Sequence, residues 1–159
     1  MNYEEAMKYI HKISWLGSKP GLTRTRELLA YMGNPEKKLR FIHIAGTNGK
    51  GSVSAMIASV LSAAGYKTGL VSFNERMRIN GIPISNSQLA ELTTFVSQYA
   101  DNMQDLSTEF ELITVVAFEY FYRNSCDIVV LETGMGGELD STNVIDTPEL
   151  AVITTIDYD

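Results

Sequence analysis

The stretch "HIAGTNGKGSV", His43 to Val53, joins an apolar run to an amphipathic one through three glycines, a lysine and small hydroxyl residues. On its amino side, "RFIHIA" (Arg40 to Ala45) is short, apolar and bounded by glycine, which reads as a buried strand. On its carboxyl side, Val53, Met56, Ile57, Val60, Leu61 and Ala64 recur at helical spacing and predict a core-facing stripe, stopped at Gly65. A strand, a glycine-rich loop and a helix in this order open a parallel α/β unit.

The alternation continues outward. Tyr3 to Trp15 has helical spacing at Tyr3, Ala6, Met7, Ile10 and Ile13, and "GSKPGL" interrupts it. A second helix is predicted over Thr23 to Met32, with Gly33 as its stop and Pro35 beyond. "YKTGLVSF" reads as a strand, and "NERMRINGIPIS" as a loop or small hairpin turning at Asn80 and Gly81. Ser85 to about Met103 is helical, capped at Asn86 or Ser87, with Leu89, Leu92, Val96 and Tyr99 on one face. Phe110, Ile113, Ala117, Tyr120 and Phe121 mark another helix. "CDIVVLETG" and "LAVITTI" lack polar alternation, so both are predicted to be strands buried on two faces. The expected fold class is α/β, a mostly parallel sheet flanked by helices, with the first two helices as an extension packed on the sheet.

Composition narrows the function classes. The 159 residues are 45% hydrophobic and 20% charged, an ordinary globular balance. A net charge of −6 argues against a nucleic-acid surface, and no apolar run is long enough to span a bilayer. Cys126 is the one cysteine, so no internal disulfide forms. Its place at the start of an apolar run reads as a buried structural thiol, and a reducing cytoplasm fits. "LAVITTIDYD" delivers a strand and then stops, from which a piece of a longer protein is expected.

The chemistry of the opening stretch is that of a phosphate cradle. The first turn of a helix presents amides without partners, and their dipoles favour negative charge. Gly46, Gly49 and Gly51 keep side chains out of the way, Lys50 adds a point charge, and Thr47 or Ser52 offers a hydroxyl to phosphate or Mg²⁺. The general pattern G-x-x-x-x-G-K-[ST] is met imperfectly: Ile44 stands where its first glycine belongs, and Gly51 delays the hydroxyl to Ser52. A glycine-rich turn with no ligand is the plain structural alternative.

"HIAGTNGKGSV" resembles the nucleotide loop of folylpolyglutamate synthases and dihydrofolate synthases in the Mur ligase superfamily, whose shortened G-T-N-G-K-G-S version explains both departures. The resemblance extends over "KPGLTRTRELLAYMGNPEKKLRFIHIAGTNGKGS" (Lys19 to Ser52), "FNERMRINGIPIS" (Phe73 to Ser85), "DIVVLETGMGGELDSTNVI" (Asp127 to Ile145) and "AVITTIDYD". It implies a P-loop NTPase-like domain of the Mur ligase central type, incomplete here. Residues 1–159 would be a truncated amino-terminal ATP-binding domain, and a carboxyl-terminal glutamate-ligase domain lies outside the chain. The implied enzyme is cytoplasmic and monomeric, touches neither membrane nor nucleic acid, and uses ATP and Mg²⁺ to join L-glutamate to a folate or dihydropteroate carboxylate through an acyl phosphate. The piece alone would bind Mg-ATP without full activity. Two alternatives stand: another Mur-type amide ligase, and a non-catalytic nucleotide-binding module.

The resemblance implies roles for named residues. Gly46, Thr47, Asn48, Gly49, Lys50, Gly51 and Ser52 would hold the nucleotide. Lys50 and Glu132 would be catalytic, with Glu132 and Ser52 on the metal; Glu132 ends a strand, where ligands of open parallel sheets gather. Arg76 and Arg78 in "ERMRING" would grip a substrate carboxylate or the pterin edge, against the plain reading of a loop ion-paired to Glu75. Asn143, with Asp140 and Thr142, would fix the loop near the nucleotide, or bond its own backbone in an Asx turn. His43 reads as a satisfied core group. Two departures are internal: no Ser-Pro-His stretch precedes "FNERMRING", so Ser72 fits best as the residue before that match, and Glu138 stands where an arginine is common.

Overall fold

The run before the glycine loop forms β1 (Phe41–Ala45), held between two other parallel strands. The computed structural model describes residues 1–12, 17, 19–72 and 76–158. The elements are α1 (Tyr3–Lys12), α2 (Thr23–Tyr31), β1, α3 (Lys50–Ala63), β2 (Thr68–Ser72), β3 (Arg76–Ile79), β4 (Ile82–Pro83), α4 (Asn86–Ala100), α5 (Glu109–Arg123), β5 (Ile128–Glu132) and β6 (Leu150–Ile153). Short 3₁₀ turns occupy Pro35–Lys38 and Ser141–Val144. The sheet runs β4-β3-β2-β5-β1-β6, with β2, β5, β1 and β6 parallel and the β3–β4 hairpin added antiparallel to β2. Asn80 and Gly81, at φ 48° and 79°, make the two-residue turn that this hairpin requires. Ile13 and Trp15 of the first predicted helix, and Phe73 to Glu75, lie outside the described residues.

Strands β2 and β5 are buried at every position, as unalternating apolar runs dictate. One face of the sheet meets α4 and α5 through Phe41, Val71, Val129 and Leu131, with Phe118 and Phe121 at the centre of that core. The other face carries Ile42, Ile44, Leu70, Ile128 and Val130 against α3. Helices α1 and α2 pack mainly on α4 and α5 rather than on the sheet, a third layer where a direct sheet contact was expected. Helices α4 and α5 begin with full capping boxes, Ser85 with Gln88 and Thr108 with Glu111, so the α4 cap lies one residue before the expected position. No helix among the described residues is long and apolar enough to cross a membrane.

Two expectations fail on burial. Helix α3 touches the sheet along Val53, Ile57 and Leu61 and the adjacent Ser54–Ala58 row, leaving Met56 and Val60 61% and 69% exposed. The contact stripe is rotated toward the small residues because only they let the helix axis approach the strands. Strand β6, expected to be buried on both faces over Ala151 to Ile156, ends at Ile153. Among the described residues it is an edge strand paired with β1 alone, and Leu150, Ile153 and Ile156 are exposed.

Glu36, in the turn before β1, is buried, and its Oε2 has no partner among the described residues. Burial pushes its carboxyl above the ordinary range, against a smaller opposing effect of its own backbone amide. A raised acid binds its proton more tightly folded than unfolded, so it costs stability as pH rises through the carboxylate range. Glu36→Gln is therefore expected to gain about 1 kcal/mol over wild type at pH 7. The gain should shrink toward zero below the ordinary glutamate value, as read by urea denaturation across that range. Cys126 is buried and its thiol is pushed up to about 11, which makes it inert.

Candidate nucleotide and acid site

Three strand ends converge at the carboxyl edge of the sheet: β1 runs into the glycine loop, β2 ends at Ser72, and β5, between them, ends at Glu132. In the loop, Gly46 has φ 136°, and a β-carbon there would stand 2.1 Å from Thr154 Oγ1, so only glycine fits. Gly49, at φ 85°, caps α3. The first helical bond is Val53 N–H to the Gly49 carbonyl at 2.9 Å, which leaves the amides of Lys50, Gly51 and Ser52 without partners inside the helix. The Lys50 ammonium turns back over the loop to the carbonyls of Gly46 (2.7 Å) and Thr47 (3.3 Å).

The first half of the loop behaves differently from expectation. The amides of Thr47 and Asn48 both donate to the Thr155 carbonyl, at 2.8 and 3.4 Å. The Thr47 hydroxyl donates to the Asp157 carbonyl at 3.0 Å and accepts from the Asp157 amide at 3.1 Å. Thr47 and Asn48 thus anchor the loop to the chain after β6, and the amides left without helical partners start at Lys50.

Glu132 is buried, and its Oε2 has no hydrogen-bond partner among the described residues. A β-carbon on Gly51 would lie 3.6 and 3.8 Å from the two Glu132 oxygens and 3.9 Å from Ser72 Oγ. A carboxylate and a hydroxyl therefore face one small space that glycine keeps open. Ser52, the expected second metal ligand, is exposed in the first turn of α3, whereas Ser72 stands beside Glu132. The signal for Ser72 was its place as the last residue of a buried strand, where ligands of a parallel sheet gather. Among the described residues no three His, Cys, Asp or Glu side chains are grouped to hold a metal alone.

A cavity of about 880 Å³ begins at Ser72 and Glu132 and runs between α1, α5 and the loop after β5. Met7, Ile10, Met77, Phe110, Ile113 and Leu139 give it apolar walls. Phe110 meets the loop with the tip of its ring, and a β-carbon on Gly134 would come within 2.6 Å of Cζ. Lys19, Pro20 and Gly21 close one side, latched by Arg24, which pairs with buried Glu111 at 2.9 Å and donates to the Lys19 carbonyl at 2.7 Å.

Other predicted residues fall elsewhere. Met77, not Arg78, lines the cavity. Arg78 sits opposite Leu70 in the β2–β3 register, and Leu70 belongs to the α3 face. Arg76 pairs with Ser72 in that register, and its side chain lies outside the described residues. Asn143 Nδ2 donates to the Glu138 carbonyl at 3.1 Å, so it ties the loop to itself; the Glu138 side chain is exposed. The Asx turn belongs to Asp140, whose buried carboxylate accepts from the amides of Gly134 (3.0 Å), Met135 (2.9 Å) and Thr142 (3.0 Å) and from the Thr142 hydroxyl. His43 is hydrogen-bonded, through Nε2 to Thr142 Oγ1 at 2.9 Å, and burial lowers its pKa.

Comparison with known proteins points the same way. Residues 44–159 match the family model described as the Mur ligase middle domain. The dihydrofolate synthase/folylpolyglutamate synthase of Bacillus subtilis is 46% identical over 99% of this chain and 39% of its own length. The folylpolyglutamate synthase of Lacticaseibacillus casei is 40% identical over 100% of this chain and 40% of its own. A solved FPGS–AMPPCP–folate complex superposes with a TM-score of 0.90 at 40% identity, over 100% of this chain and 41% of that one. The chain thus spans about two fifths of the length of the relatives it matches. The loop after β1 and the glutamate ending β5 lie within the matched residues, and the chain belongs to the Mur ligase middle-domain family.

Proposed function

We propose that this chain is the amino-terminal ATP-binding part of a cytoplasmic, monomeric amide ligase that adds L-glutamate to a folate or dihydropteroate carboxylate. The observation that carries this reading is the convergence at one sheet edge. Unpartnered amides at Lys50 to Ser52, the Glu132–Ser72 corner and the mouth of the apolar cavity adjoin one another. The triphosphate lies on the first turn of α3, with Lys50 exchanging loop carbonyls for phosphate oxygens. Glu132 and Ser72 fit Mg²⁺, since both offer hard oxygen and the unpartnered Glu132 Oε2 is the kind of atom a cation satisfies. The ion, when bound, offsets charge as two anions meet. The apolar cavity walls at Met7, Ile10, Phe110 and Ile113 suit an aromatic heterocycle, so the acid's carboxylate emerges toward the nucleotide.

The reaction then has two balanced steps. A carboxylate oxygen of the acid bonds to the γ-phosphorus as ADP leaves. The glutamate nitrogen next bonds to the acyl carbon, phosphate leaves, and the nitrogen gives up a proton. The FPGS complex with AMPPCP and folate supports a site that takes both ligands together. The test is phosphate release by the whole protein that carries this chain. Release is expected only when ATP, a pteroate-type acid and glutamate are all present; release with ATP alone, or with an unrelated acid and amine, would refute the reading.

A further inference from the structure

The loop after β5 forms one wall of the cavity through Gly134, Met135, Gly136 and Leu139. The start of this loop hangs on one carboxylate: Asp140 Oδ2 takes the amides of Gly134 and Met135, and Oδ1 takes both the amide and the hydroxyl of Thr142. The Thr142 hydroxyl has one proton, and Asp140 receives it. The proton in the 2.9 Å contact between Thr142 Oγ1 and His43 Nε2 therefore comes from histidine. His43 thus orients a wholly buried hydroxyl toward the carboxylate that orders the loop. It does so from β1, on the face shared with Phe41 and α5, while the nucleotide loop folds over toward α3.

We infer that His43 is a positioning residue for the cavity wall, acting through Thr142 and Asp140, and that it sets affinity for the acid substrate and not for the nucleotide. This rests on the reading that the cavity takes a pteroate-type acid. Losing His43 removes the bond that holds Thr142 Oγ1 from its far side, so the Thr142–Asp140 contact that orients the carboxylate toward the Gly134 and Met135 amides becomes less ordered. The nucleotide amides at Lys50 to Ser52 make no contact with this chain of bonds.

Amide hydrogen exchange and calorimetric titration on the full chain test the inference. His43→Ala and the near-isosteric Thr142→Val should each speed exchange at Gly134 and Met135 by about tenfold, with Val130 and Leu131 unchanged. Both should weaken pteroic acid binding, measured with AMPPCP present, by about fivefold to tenfold, with AMPPCP affinity held within about twofold. His43→Gln, whose amide nitrogen reaches the Nε2 position, should restore both. The double variant should be no worse than either single change, because the two act in series. Unchanged exchange at Gly134 and Met135, or an equal fall in AMPPCP and acid affinity, overturns the inference while the cavity reading stands. If the wild-type chain binds AMPPCP but no pteroic acid, the cavity reading itself fails and takes this inference with it.

Discussion

Glu132→Ala is expected to weaken ATP binding in the presence of magnesium by about a hundredfold, the upper end of what even outer-shell partners of a metal command. Without magnesium the same variant is expected to bind ATP at least as tightly as wild type. The sign reverses because the buried carboxylate faces the Gly51 turn, where it repels a bare triphosphate and attracts one that carries a divalent ion. Lys50→Ala, in contrast, should lose affinity with and without the ion, since its ammonium acts on phosphate directly. Titration calorimetry of the chain with ATP, in magnesium and in chelator, separates the two patterns. Wild-type affinity for Mg-ATP in Glu132→Ala would remove the metal corner from the site. A loss of equal size in chelator would show that Glu132 supports the fold of the loop instead.

The elements most legible in the sequence are those whose period or punctuation is local. The run Phe41–Ala45, the stop at Gly65, the Asn80–Gly81 turn and the unalternating β5 lie where residue spacing puts them. Lys50 and Glu132 are singled out by their positions beside strand ends, and the structure brings both to one edge. What was illegible depends on partners distant in sequence. The use of Thr47 and Asn48 amides by Thr155 needs the β1–β6 pairing, which no loop motif encodes. Ser72 joins Glu132 only because β5 inserts between β2 and β1. The exposure of Met56 and Val60 reflects a helix rotated onto Ser54 and Ala58, a choice made by close approach and not by hydrophobicity. His43, read as a core residue, is one, and the loop it steadies begins nearly a hundred positions later.

Arg24→Met is expected to be the most destabilising single change outside the core, at about 3–5 kcal/mol. That is a large share of the roughly 5–15 kcal/mol of a typical domain. The Arg24 guanidinium meets both Glu111 oxygens through Nε at 3.1 Å, reaches Asp105 at 3.2 Å and holds the Lys19 carbonyl at 2.7 Å. Glu111 is buried and also accepts the Thr108 amide at 2.7 Å, closing the cap of α5. Methionine keeps the apolar stem but leaves a buried carboxylate with its charge uncompensated. Exposed Lys19–Asp105, by comparison, contributes little, because solvent screens it. The cost therefore lies in the abandoned charge more than in the lost attraction, and a second change separates the two. Adding Glu111→Gln removes the charge while preserving the capping geometry, because glutamine serves at that position of the box. The double variant should recover about half or more of the loss in urea denaturation. If Arg24→Met costs no more than an exposed pair, the bridge is solvated and the segment from Lys19 to Arg24 is not latched. If the double variant is as unstable as the single, the damage is the lost Lys19 carbonyl bond. In the first case the cavity wall built on that segment would rest on packing alone, and in the second it would hang on that one hydrogen bond.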